Sequence, residues 1–126
     1  MRFGVKEHRE VLERFYEDRA DILHPETVRQ GAVVRTQWAA SEENVACSLS
    51  RIGNTSSRVG NKSGRRDAVQ EILWDAVLFL APEQELRPGD RVRVRQLGRT
   101  MEFEVVGRPA LYETHQEALL REKRSA

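Results

Sequence analysis

The stretch from Leu80 to Tyr112, LAPEQELRPGDRVRVRQLGRTMEFEVVGRPALY, constrains the fold most, because it spells a Pro-Gly-Asp turn, a strand, a tight glycine turn and a second strand. Pro88 presets turn geometry, and Gly89 supplies a backbone conformation that side chains resist, just ahead of Asp90. Val92 and Val94 then alternate with Arg91, Arg93 and Arg95 at the two-residue strand period, which makes one face apolar and the other cationic. Leu97, Gly98 and Arg99 reverse the chain into Met101, Phe103 and Val105, which alternate with Thr100, Glu102 and Glu104. Two half-buried strands joined by a tight turn after a Pro-Gly corner predict a small β-barrel.

A chain of 126 residues fits one domain with one core. Lysine plus arginine number 21 against 20 acids, so no whole-molecule field marks a nucleic-acid or acidic partner, and any basic signal must be local. The lone cysteine, Cys47, excludes an internal disulfide, and its place in the alternation Val45, Cys47, Leu49 marks it as a buried small hydrophobe in a chain from a reducing compartment. No apolar run reaches the length of a membrane span, and MRFGVKEHRE lacks the apolar core of a secretory signal. The expectation is a soluble protein of intracellular origin with no membrane partner.

Residues 6–18 place Val11, Leu12, Phe15 and Tyr16 among charged residues at helical spacing, which predicts a short amphipathic helix and an N-terminal helical extension over 1–18. From Ala20 the text reads as a brief strand ended by His24-Pro25, because a residue before proline avoids helical geometry, with a turn over 25–31. At least one further strand lies in GAVVRTQWAASEENVACSLSRI, interrupted over 39–44. DAVQEILWDAVLFLAPEQ is ambiguous, with Val69, Ile72, Leu73 and Trp74 compatible with a helix, but the dense β-branched and aromatic run over 74–81, ended by Pro82, favours a core strand. Ala118, Leu119 and Leu120 among charges predict a C-terminal helix over 114–123. The domain proper is thus 19–126.

Residues 53–66, GNTSSRVGNKSGRR, hold three glycines, three serines, two asparagines and one isolated valine, too little apolar surface to fold alone. With Arg51 added, the segment carries Arg58, Lys62, Arg65 and Arg66 and no acid, which is five positive charges in an otherwise balanced protein. A flexible basic loop over 53–67 inside a compact domain is either functional or a solvated insertion, and its one-sided charge favours function.

Catalytic chemistry finds no footing. His8, His24 and His115 lie far apart and show neither HExxH spacing nor a cysteine pair, so no metal is expected. Cys47 has no neighbouring base, and no GxSxG elbow exposes a serine. Gly53, Gly60 and Gly64 match neither the phosphate loop nor the dinucleotide fingerprint, so no cofactor is expected. Glu42 with Glu43, and Glu83 with Glu85, sit in turn-like segments where nothing separates their pKa values.

The strand stripe Arg91, Arg93 and Arg95, flanked by Arg87 and Arg99, allows two readings. Arginine forks grip phosphate or carboxylate bidentately, so the face suits a nucleic-acid path or an acidic partner. Alternatively, folding about Gly98 brings Glu102 and Glu104 near Arg93 and Arg95, and the charges neutralise one another across the hairpin. Base stacking would also need exposed aromatics, and Trp38, Trp74, Phe79 and Phe103 all read as core-facing.

Taken in order, DRADILHPE, the strand NVACSLSRI with its Gly/Ser/basic loop, WDAVLFLAPEQELRPGDRVRV, GRTMEFEVVG and ALYETHQEALL resemble the head-closure or stopper proteins, also called head-tail connector or head completion proteins, of long-tailed bacteriophages. The resemblance spans roughly residues 18–120, and the helix at 1–17 departs from the shortest members. It implies a small SH3-like β-barrel with a long internal loop, and with the helices read above the expected fold is mainly β with a short N-terminal helix and a C-terminal helix. It further implies a non-enzymatic homo-oligomeric ring in the virion neck, assembled in the host cytoplasm between the portal and adaptor complex above and a tail protein below. There the loop with Arg51, Arg58, Lys62, Arg65 and Arg66 would face packaged double-stranded DNA or neighbouring subunits. The Pro88-Gly89-Asp90 corner and Gly98 are the turns of that barrel.

The alternative is a monomeric SH3-like or KOW-like nucleic-acid-binding module that uses the face of Arg91, Arg93 and Arg95. A small ribonuclease on a similar barrel would need a convergent base and oxyanion-stabilising group, which these residues do not assemble.

Overall fold

The computed structural model describes residues 5–51 and 74–123. A helix α1 (Val5–Glu13) is followed by strands β1 (Asp18–Gln30), β2 (Val33–Arg51), β3 (Ala76–Leu80), β4 (Arg91–Gln96), β5 (Arg99–Val105), β6 (Ala110–Leu111) and β7 (Gln116–Glu122). All the pairings are antiparallel. Because β3 pairs with both β2 and β7, they close a circuit β1-β2-β3-β7-β5-β4 and back to β1, with β6 alongside the start of β7. A closed circuit leaves no open edge in its body, which is how all-β folds avoid pairing with other chains.

The two-residue period places the core inside this circuit. Ala76, Leu78 and Leu80 of β3 are fully buried, as are Ala118 and Leu120 of β7, Val92 and Val94 of β4, and Phe103 of β5. Register sets large against small: Ala76 lies opposite Leu120, and Leu78 opposite Ala118, so bulky and small side chains alternate across the β3–β7 pair. Buried Asp18 accepts from the Leu49 amide at 2.8 Å and from the Gln96 side chain at 3.2 Å, joining β1, β2 and β4 at one point.

Four expectations need correction. The segment predicted as a C-terminal helix is β7: Gln116, Ala118 and Leu120 point inward at strand spacing, and unpaired ladders of β3 and β5 lie on either side. Pairing on both edges overrides the helical leaning of Ala118-Leu119-Leu120. The turn expected over 25–31 is a continuation of β1 to Gln30, reversing at Gly31-Ala32. Pro25 is tolerated because β1 loses its β4 partner beyond Leu23, and a residue without an N–H fits an edge open to solvent. The break expected over 39–44 is a pair of bulges, with register shifts opposite Ile22, while β2 runs on through Arg51. The predicted helix over 6–18 stops at Glu13, since Arg14, Phe15 and Tyr16 tighten into a turn of i to i−3 bonds before Asp18 starts β1.

The β4–β5 hairpin is as expected, with Gln96 paired to Arg99 across the two-residue turn Leu97-Gly98. Both turn residues have positive φ, 49° at Leu97 and 77° at Gly98. Glycine adopts this conformation freely, but a leucine does so at a cost of about 1–2 kcal/mol. Because Leu97 is also 92% exposed, Leu97→Gly or Leu97→Asn is expected to stabilise the fold by about 0.5–1 kcal/mol in chemical denaturation. A loss of stability would show that the leucine side chain makes a contact that outweighs its backbone strain.

Candidate interaction surfaces

The arginine stripe is built by β4, and its partners come from three other strands. Register sets Arg91 opposite Glu104, Arg93 opposite Glu102 and Arg95 opposite Thr100. Arg93 reaches Glu102 at 3.7 Å. Arg95 turns to β1, where its fork meets Asp21 at 3.0 and 3.3 Å and the Asn44 side chain at 3.3 Å. The Arg95 hydrogen bonds, with a further one from the Asn44 amide, hold the Asp21 carboxyl below its ordinary range and raise the Arg95 guanidinium above its own. Arg91 lies over the Trp38 ring at 4.1 Å, a cation–π contact. The stripe is thus engaged within the protein, as the cross-hairpin reading foresaw for Arg93, while Glu104 sits opposite Arg91 and not near Arg95.

Arg51 ends β2 at the root of the basic segment. Its guanidinium pairs with Glu122 at 3.0 Å and lies 5.9 Å from the centre of the Phe103 ring, so this charge is anchored to the strands. Arg58, Lys62, Arg65 and Arg66, and the loop 53–67 that carries them, lie outside the described residues.

The Pro88-Gly89-Asp90 corner joins the start of β4 to the end of β5. Gly89 has φ +92°, and its amide donates to the Val105 carbonyl at 2.9 Å, while the Val105 amide donates to the Asp90 carbonyl at 2.8 Å. The Asp90 carboxylate is 2% exposed, accepts from the Arg87 amide at 2.8 Å and lies 2.7 Å from Nδ1 of His24, close but poorly aligned for a hydrogen bond. His24 is a partner the sequence did not reveal, because it stands on β1. The corner is a structural device.

Two surfaces were not foreseen. Beyond Leu23 and Ala40, β1 and β2 leave the closed circuit as a two-stranded arm, pairing from His24 with Ala39 to Gln30 with Val33. At the measured rise of a strand its length is about 20 Å. Val33 and Val34 at its tip are 59% and 52% exposed. Trp38, expected to face the core, is half-buried in this arm beneath Arg91.

The second surface lies between α1 and the outer face of β2 and β3, where a cavity of about 230 Å³ is lined by Leu12, Phe15, Tyr16, Ser48, Phe79 and His115. Arg9 holds the helix there through a fork onto Glu83 at 2.6 and 2.8 Å. Tyr112 stacks on His115 with 4.9 Å between ring centres, and His115 is oriented by Glu117 at 2.9 Å and Thr114 at 3.1 Å. Phe15, Leu111 and Tyr112 remain 69%, 68% and 51% exposed, so the rim is apolar. Phe79 faces this cavity and not the interior, whereas Phe103 is in the core as expected.

Burial pushes the Cys47 thiol up to about 12, so at pH 8 it stays protonated and unreactive. A thiol reagent is expected to label the native protein only at the rate of unfolding, and labelling as fast as a free thiol would place Cys47 outside the core. Among the described residues no group of His, Cys, Asp and Glu could hold a metal ion, and no helix is long and apolar enough to cross a membrane. The chain matches no known family model, and no curated protein matches it.

Proposed function

We propose that this chain is a structural neck component of a tailed phage particle, a ring between portal and adaptor on one side and tail on the other that closes the DNA channel and offers the tail its docking surface. The fold reading that goes with it is an SH3-like barrel formed by the closed circuit of strands. The observation that carries the proposal is where the basic insertion sits. Arg51 and Ala76 are directly paired neighbours, yet the chain between them holds GNTSSRVGNKSGRR, so the insertion leaves and returns at one point of the β2–β3 edge. Closing such a loop costs little more as it lengthens. The segment is basic and holds a single valine, and in this reading closed ring symmetry brings identical copies of it together around an axis where phosphate or acidic neighbours supply partners for Arg58, Lys62, Arg65 and Arg66.

The monomeric nucleic-acid module has less support, since Arg93 and Arg95 are already paired with Glu102 and Asp21, and Arg91 is stacked on Trp38. The test is to delete residues 54–64 and package heads with the variant. The expected result is a folded protein that joins particles but lets DNA escape. Heads that keep their DNA and accept tails would refute the channel role.

A further inference from the structure

We infer that the cavity between α1 and the outer face of β2 and β3 is a binding site for a small, neutral aromatic molecule of one or two fused rings. Its occupancy does not depend on the neck role proposed above. Size sets the first limit. At about 230 Å³ the cavity exceeds the roughly 150 Å³ that takes benzene in an apolar interior, and it falls short of the roughly 300–1,000 Å³ of pockets for larger ligands. A bicyclic ring system is the largest occupant that suits it.

The lining sets the chemistry. Four of its six residues carry rings: Phe15 and Tyr16 just after α1, Phe79 on β3 and His115 just before β7. Phe79 and His115 are themselves in tilted contact, with 6.2 Å between ring centres, and rings of this kind favour offset or edge-to-face contact with a further ring. No charge is left over to hold an ion. Both His115 nitrogens are engaged, by Thr114 and Glu117, and Glu13 and Arg9, whose charges reach Tyr16, pair with each other at 3.3 Å. Ser48 and Tyr16 bring one hydroxyl each, which suits a ligand with a single polar group on an apolar body. Phe15 is 69% exposed although it lines the cavity, so an occupant gains by taking that ring out of water. Leu12, Phe15 and Tyr16 come from the helical segment, whereas Ser48 and Phe79 come from β2 and β3, so the same occupant ties the helix to the strands.

The experiment titrates the full chain with indole to about 5 mM and follows backbone amide shifts by NMR. The expected result is saturation of one site with a dissociation constant on the order of 0.1–1 mM, the range open to a ligand of about nine heavy atoms. The shifts should centre on Leu12, Phe15, Ser48, Phe79 and His115, and hydrogen exchange in α1 should slow. Ser48→Phe puts a ring into the cavity, and Phe15→Ala removes a wall at an exposed position that folding does not need. Each should weaken binding by about fivefold or more, with the rest of the spectrum unchanged. Indole-3-acetate, the same rings with a carboxylate, should bind about threefold more weakly or worse. No saturation, shifts centred elsewhere, or unchanged binding in either variant would overturn the site. Equal binding of the carboxylate would overturn the neutral ligand class.

Discussion

Replacing Phe103 with alanine is expected to cost about 3–5 kcal/mol of stability, since the ring is fully buried and its removal takes a large apolar volume out of the core. Phe103 is the largest of the fully buried side chains, paired with Val92 on one side and Glu122 on the other. It therefore contacts both halves of the closed circuit, and its loss opens a cavity where β4, β5 and β7 meet. Small domains have about 5–15 kcal/mol in all, so the variant would be close to unfolded at physiological temperature. Phe103→Leu, which keeps most of the volume, should lose only about 1 kcal/mol. Urea titration of the three proteins checks the order, with equal slopes showing that the same surface is exposed on unfolding. A loss under about 1 kcal/mol for the alanine variant would mean that the core is not organised around this ring.

Asp90→Ala should be the next most damaging change, at about 2–4 kcal/mol, although aspartate is a surface residue in most proteins. The carboxylate is 2% exposed, and its removal leaves the Arg87 amide without its acceptor and His24 without its charged neighbour. An unmade hydrogen bond at a buried donor costs more than a made one contributes. Asp90→Asn keeps an acceptor oxygen for the Arg87 amide and should recover about half of that loss, which separates the hydrogen bond from the charge. The same titration reads both. An alanine variant as stable as the wild type would show that the corner is held by its backbone bonds alone.

Where local pattern and tertiary context agree, the fold was legible. Arg91 to Val105 alternates cleanly across a glycine turn, and the hairpin forms as read. The stretch over 74–81, ambiguous in period but read as a core strand, is β3, Ala76–Leu80, held between β2 and β7. The failures share a cause. Ala118-Leu119-Leu120 satisfies a helical stripe as well as a strand, and only the ladders waiting on β3 and β5 decide between them. Pro25 is a local stop signal, yet an edge position removes its penalty, and edges are not visible in a single sequence.

The exact partners of the arginines were hidden for a related reason. With Gln96 paired to Arg99, the register forces Arg93 onto Glu102 and Arg91 onto Glu104, and Arg95 finds Asp21 on a strand that begins more than seventy residues earlier. The composition of the basic segment was plain from the sequence. The arm and the groove were not, since their exposed side chains look like core residues until the fold leaves them outside.

The central claim is assembly into a ring on the connector. It is tested most directly by mass and shape, using light scattering and negative-stain imaging, for the protein alone and then with portal and adaptor complex in the same buffer. A protein that is a monomer alone and a closed ring on the connector is the expected result. A protein that stays monomeric with the connector yet binds nucleic acid tightly, with affinity falling steeply as salt rises, would contradict the account and favour a nucleic-acid module.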